Sequence, residues 1–323
     1  MVQIRLKHIF VFLILVNLSC QENKPYKIRN PEEIKSVELS FEKEKSSISE
    51  HSQIADCIEV LKKIDHLGNC KLIDVRKVED YEKGHIPGAI QVWRKDFNET
   101  RNGLNSFVAS KNKMEELLSK MGIDNKDTLL LYDDRGGVNA ARFWFVLKHY
   151  GFDNIRFLNG GIVKWKILKF PLDTITPLIK ESGFVFSTSP ERINIELDEF
   201  LKIMDGVTIL DSRTPHEFSG EIIKKGAAKG GRIKGSVRFD YSELNKISIG
   251  EDHCFREPWV VKEKLENLKI DLDKEMIVYC QSGARSALLA FYFREILEMK
   301  DVRNYDGSWI EWSHREDLPF QKG

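Results

Sequence analysis

One spacing recurs along this 323-residue chain and limits what it can fold into. His85 and Arg232, Ile86 and Ile233, Gly88 and Gly235, Tyr132 and Tyr279, Asp133 and Cys280, Gly160 and Gly307, and Trp165 and Trp312 all stand 147 residues apart. A single offset held from the first pair to the last means that one unit is written twice. Asp74 and Asp211 differ by 137 instead, because 11 steps separate Asp74 from His85 whereas 21 separate Asp211 from Arg232. The second copy therefore carries ten extra residues, within Glu221 to Gly230, and an excess of that size belongs in a loop. The chain length suits two domains of about 150 residues each.

Within each copy, apolar runs of strand length alternate with helix-compatible runs. The strand-like runs are 71–74, 129–132 and 155–158 in the first copy and 207–210, 277–279 and 302–305 in the second. This alternation predicts an α/β fold: two tandem domains, each a doubly wound, mainly parallel sheet flanked by helices, with sites at the carboxyl ends of strands. Ile54, Cys57, Ile58, Leu61 and Ile64 have the spacing of one helical face. The domains are expected over 51–170 and 191–323, joined by a linker over 171–190 in which Pro171 and Pro177 break the periodicity and a strand is predicted near Phe184-Val185-Phe186.

Residues 1–20 differ from the rest. Arg5, Lys7 and His8 precede the apolar run 9–16, which is too short for a stable span and reads as an export signal. Leu18-Ser19-Cys20 is similar to the end of a bacterial lipobox, with Asn17 where an aliphatic residue is usual. Lipidation at Cys20 would make an exported, periplasmic or cell-envelope lipoprotein; a plain secretory peptide cut nearby is the alternative. Residues 21–50, dense in Lys and Glu, read as a tether. Lys plus Arg and Asp plus Glu are both 50, so no net field recruits nucleic acid.

The residue types with chemistry concentrate at Cys280-Gln281-Ser282-Gly283-Ala284-Arg285-Ser286. Met276–Tyr279 reads as a buried strand and the run from Ser286 as a helix, so Cys280 falls at a strand-to-helix turn. Small residues at Ser282, Gly283 and Ala284 let the backbone curl until several N–H groups face one centre, which favours a thiolate. Taken alone, such a cysteine is more commonly a structural core residue.

The flanking motifs change that balance. The loop, the segment Asn304-Tyr305-Asp306-Gly307-Ser308-Trp309-Ile310-Glu311-Trp312, and the pair Leu210–Arg213 with Gly231–Val237 together resemble the rhodanese-type sulfurtransferases over most of residues 195–315. The resemblance implies that Cys280 is the nucleophile and carries sulfur as a persulfide. It implies a small anionic sulfur donor, thiosulfate or 3-mercaptopyruvate, and a thiophilic acceptor such as cyanide or a thiol, with no cofactor. The first copy, with Asp133 in the cysteine position, would wall the cleft. Asp74, Arg76 and His85 would brace the loop by hydrogen bonds, and Asp211 would support its neighbours. Arg213 and Arg285 would bind the donor, although an internal salt bridge is the competing role for Arg213. Arg285 has the alternative of holding the loop through backbone carbonyls. Arg232 stands where histidine is common, which leaves its role open.

Trp309 and Trp312 are expected to pack the domain edge. Cys57, Cys70 and Cys254 show neither CxxC spacing nor the histidine spacing of a metal site, so no metal is expected; whether Cys57 and Cys70 pair is not decided by the sequence. Two rival functions stand beside sulfur transfer: a phosphatase or arsenate reductase of the same fold, and a persulfide relay or redox sensor serving a protein partner. Only four residues separate Cys280 from Arg285, whereas related phosphatases have a wider cradle, so sulfur is the preferred reading and thiosulfate the preferred donor.

Overall fold

The computed structural model describes residues 51–323 apart from 188 and 247–249. The export signal, Cys20 and the tether lie outside the described residues.

In chain order the strands are β1 (Ile54–Ala55), β2 (Cys70–Asp74), β3 (Ile90–Gln91), β4 (Asn98–Arg101), β5 (Leu104–Val108), β6 (Thr128–Tyr132) and β7 (Ile155–Leu158), followed by β8 (Asn194–Ile195), β9 (Thr208–Asp211), β10 (Arg232–Ile233), β11 (Val237–Arg238), β12 (Met276–Tyr279), β13 (Val302–Tyr305) and β14 (Phe320–Gln321). The first copy forms a five-stranded sheet ordered β1-β7-β6-β2-β3, and the second forms one ordered β11-β9-β12-β13-β8. All ladders in both are parallel. Read by repeat, the two orders are the same, so the 147-residue offset of the sequence is a duplicated topology.

Strand periodicity explains the layers. Leu129 and Leu131 of β6 and Met276 and Val278 of β12 point into one continuous core, while Leu130 and Tyr132 enter a second core and Ile277 and Tyr279 a third. Alternate side chains of a strand face opposite sides of the sheet, so central strands covered on both sides must be apolar at every position. The shared core holds residues of both copies. Its centre is the helix Val138–His149, buried on nearly every side, packed against the helix Ala284–Phe291. Trp144 meets Phe291 edge-on at 5.3 Å between ring centroids, and Phe157 stacks on Phe291 at 3.9 Å.

Polar contacts fix how the copies meet. Arg142 and Asp306, both fully buried, form an ion pair across the interface. The Arg142 guanidinium also donates to the Ser106 carbonyl and to Asn98 Oδ1, while Asp306 Oδ2 accepts from the Val108 amide at 2.7 Å. One cluster thus ties the β4–β5 hairpin of the first copy to the end of β13.

Three sequence expectations are corrected here. Ile54 belongs to β1 and not to the helical face, which begins at Cys57. Phe184–Phe186 forms no ladder; its amides are taken by Ser119 Oγ and Glu115 Oε1, and the two rings pack on Phe152 and Tyr150. The alternation of buried Phe and exposed Val185 imitates a strand, but side chains satisfy the backbone instead. Trp309 and Trp312 are 1% and 0% exposed and sit in the third core, deeper than a domain edge.

The ten extra residues of the second copy form an irregular excursion after the helix Pro215–Ser219. Its neck is closed by Gly220, where an added Cβ would lie 2.6 Å from the Gly231 amide nitrogen. Only glycine lets the two backbones cross so closely.

Arg142→Met should cost about 3–5 kcal/mol, because it strands a buried carboxylate. Asp153→Asn, at the exposed pair with Lys148, should cost under about 1 kcal/mol. Urea midpoints of the two variants measure the difference, and equal values would show that the buried pair is not holding the interface.

Candidate active site

The Cys280 loop starts where β12 ends, and each neighbour of that end is tied down. Tyr279 is fully buried; its hydroxyl accepts from the Ile233 amide and contacts Ser236 Oγ, and its carbonyl accepts from the Ser212 amide and hydroxyl. Ser308 Oγ accepts from the Cys280 amide at 3.2 Å, and the Cys280 carbonyl accepts from the Trp309 amide. The helix Ala284–Phe291 then begins from Gly283, whose φ of +78° is the left-handed conformation. A Cβ there would lie 2.8 Å from Arg142 Nη1 and 3.0 Å from Asp306 Oδ1. Glycine is required twice over, by its dihedral and by the interface ion pair beneath it.

Cys280 is only 1% exposed. Burial pushes its thiol up, but the Arg285 guanidinium, the hydroxyl and amide of Ser286 and the amide of Ser282 outweigh this and bring it below the ordinary thiol value. The Ser286 hydroxyl is buried and has no partner besides this thiol. Cys57, Cys70 and Cys254 are also free thiols, so Cys57 and Cys70 are not paired. Burial is the leading influence on all three and pushes them up, Cys254 to about 12. Among the described cysteines, Cys280 alone is shifted towards thiolate.

The first copy provides an internal comparison. Asp133 Oδ1 accepts from the amides of Arg135 and Gly137 at 2.8 Å each, and Oδ2 from those of Asn139 and Ala140 at 2.6 and 3.2 Å. The matched loop holds a cysteine in one copy and a carboxylate in the other. Its converging N–H groups form an anion cradle in both.

Arg285 binds Glu217 through two hydrogen bonds of 2.8 Å and lies over the Tyr241 ring. It neither takes loop carbonyls nor offers an open fork to a donor. Burial alone would raise the Glu217 carboxyl, yet Arg285 and Thr214 bring it down to about 2.

Arg213 is turned inward, which favours the internal salt bridge over contact with a donor. Its Nε and Nη2 bind Asp211, its Nη2 also binds the Gly231 carbonyl at 2.7 Å, and it is 1% exposed. Asp74 and Arg76 make the same bracket with the Gly84 carbonyl. In both brackets Nε and Nη2 are committed to the aspartate two residues earlier and to a glycine carbonyl. His85 stacks on Tyr81 at 3.7 Å and pairs in a β-bridge with Asp173, so it anchors the linker and not the catalytic loop. Arg232 does the equivalent work in the second copy: β10 pairs with β14 and the guanidinium binds the Gly323 carbonyl. The histidine-to-arginine exchange falls at a seam, away from Cys280.

Beside the loop lies a cleft of about 760 Å³. Gln281 and Ser282 line it from the second copy, Trp93, Arg94 and Ser106 from the first, and Lys225 and Gly226 from the extra ten residues. The sequence did not point to Arg94, Arg142 or Glu217. Thr214 and Glu217 do carry the spacing of a helix capping box, which marks the helix start but not the partner. No group of acidic, histidine and cysteine side chains able to hold a metal occurs among the described residues.

A family model described as rhodanese-like domain matches residues 58–168 and again 196–315. A thiosulfate sulfurtransferase of Corynebacterium glutamicum is 31% identical over 275 residues, 80% of this chain and 87% of that one. The sulfur carrier protein TtuD of Thermus thermophilus is 31% identical over 275 residues, covering 80% of this chain and 94% of its own. The crystal structure of the anaerobic ergothioneine biosynthesis enzyme from Chlorobium limicola superposes with a TM-score of 0.72 at 20% identity, over 84% of this chain and 70% of that one. At that identity the likeness speaks for the fold.

The Glu217 shift has a pH signature. Its carboxyl is depressed in the folded state, so its contribution is complete above about pH 4.5 and is lost as the pH falls towards about 2. Glu217→Gln should flatten the acid limb of stability in that window, read as the urea midpoint against pH. An unchanged acid limb would show that the pair with Arg285 contributes nothing there.

Proposed function

The chain belongs to the rhodanese-like family of sulfurtransferases, with one domain in each copy, and from that membership we propose that Cys280 moves sulfane sulfur from thiosulfate to a thiophilic acceptor. The observation that carries this reading is the charge environment of Cys280: alone among the described cysteines its thiol lies below the ordinary value.

The Cys280 thiolate attacks the outer sulfur of thiosulfate. A new S–S bond forms, the donor's S–S bond breaks, and its electron pair leaves with sulfite. The persulfide is itself an anion, and the N–H cradle that holds a carboxylate in the first copy suits it. Cyanide or a thiol then attacks the outer sulfur and returns the thiolate. Two half-reactions make the kinetics ping-pong, and 3-mercaptopyruvate is the alternative donor. A protein acceptor is the second reading, favoured by the Thermus relative named a sulfur carrier. Phosphate chemistry fits less well, because the fork of Arg285 that would hold a phosphoryl group is occupied by Glu217. Export, with lipid attachment at Cys20, remains a proposal that rests on residues 1–20 alone.

Intact mass spectrometry tests the reading. Thiosulfate should add one sulfur atom, and cyanide should remove it. Cys280→Ser should abolish both steps, while Cys57→Ser and Cys70→Ser keep nearly full turnover. Turnover by Cys280→Ser would overturn the assignment.

A further inference from the structure

Arg94 opens the short helix Arg94–Phe97 of the first copy and lines the cleft opposite Gln281 and Ser282. Two other arginines near Cys280 have their charge matched: Arg142 by Asp306 and Arg285 by Glu217. Arg94 forms no ion pair among the described residues. The leading charges acting on it are Arg142, Arg135 and Arg285, which oppose its own, and Cys280, which favours it. Burial first, and these like charges next, bring the guanidinium down to about 10. A cation in such a place is uncompensated, and what it lacks is an anion.

A second observation points to the same space. Gln281 is 9% exposed, lines the cleft, and neither its amide nitrogen nor its amide oxygen has a hydrogen-bond partner. A buried amide left unpaired costs about 1–3 kcal/mol, so its position is that of a group kept for a ligand. It also follows Cys280 directly in the chain.

We propose that Arg94 and the Gln281 side chain form an oxyanion subsite over Cys280, spanning the two copies, which holds the sulfonate or carboxylate of the sulfur donor. This deepens the sulfurtransferase reading and rests on it for the identity of the donor. As the donor's S–S bond breaks, the electron pair moves onto the leaving sulfite, and Arg94 faces the charge that builds up there. A guanidinium takes two oxyanion oxygens in its planar fork. The first copy, without a nucleophile, then supplies donor binding. Arg213, buried and closed on Asp211, is less well placed for this role.

The test compares an anionic with a neutral reagent on the same thiol. Cys280 alkylation by iodoacetate and by iodoacetamide is followed by mass in the wild type, Arg94→Gln and Arg94→Lys. Arg94→Gln should slow iodoacetate about tenfold or more beyond its effect on iodoacetamide, and Arg94→Lys should recover part of that difference. In turnover, kcat/KM for the anionic donor should fall by a similar factor, while transfer from preloaded persulfide to a neutral thiol stays constant. Comparing the losses for thiosulfate and 3-mercaptopyruvate identifies which oxyanion the subsite favours. Equal slowing with both reagents would mean that Arg94 acts only on the thiolate, and no slowing with iodoacetate would remove the subsite. If the selective iodoacetate effect persists in a protein that transfers no sulfur, the subsite stands and the sulfurtransferase reading fails.

Discussion

The buried pair of Arg142 and Asp306 is the contact on which the rest of the site depends. Apolar burial between the Val138–His149 and Ala284–Phe291 helices holds the copies together, but hydrophobic attraction has no direction and would tolerate sliding. A guanidinium fork does not. Its donors reach Asp306, Asn98 and Ser106, so the β4–β5 hairpin sits at one place relative to the Cys280 loop. Gly283 lies directly against this pair. The turn that aims Cys280 and the seam that joins the copies are therefore one construction, and a side chain at 283 would strain both.

The two loops show how one backbone serves two residues. Four amides converge on the Asp133 carboxylate, and at the matched position amides of Ser282 and Ser286 act on the Cys280 sulfur. Duplication preserved the cradle while the side chain within it changed. In the first copy the carboxylate satisfies the cradle from inside and closes it. In the second, the cradle faces a sulfur, and a cleft lies beside it, lined by Gln281 and Ser282.

What the sequence revealed was local or repeated; what it concealed was distant. The constant offset, the strand-to-helix turn at Cys280 and the closing motif around Trp309 could be read because each is written in adjacent residues or written twice. Arg142 and Asp306 are 164 positions apart, and neither shares a period or motif with the other. Arg94 lies in no repeated motif, and only tertiary structure brings it near Cys280. Arg213 shows the opposite case. Its motif was visible, but one line of sequence does not say whether a fork faces outward or is already filled. Phe184–Phe186 misled for a related reason, since alternation reports which side is buried and not whether a neighbouring strand is there to pair.

The burial of Cys280 fits this arrangement. A thiol that is 1% exposed meets few reagents, and desolvation works against its charged form. Its thiolate is favoured chiefly by Arg285, Ser286 and Ser282. Arg285 is in turn held in place by Glu217. Adding one sulfur extends the side chain by about 2 Å, the length of an S–S bond. A group that starts nearly sealed would then present its transferable atom further towards the cleft, where Gln281 and Arg94 stand. On the proposed reading, burial would protect the resting thiol and the added sulfur would be the atom nearer to an acceptor.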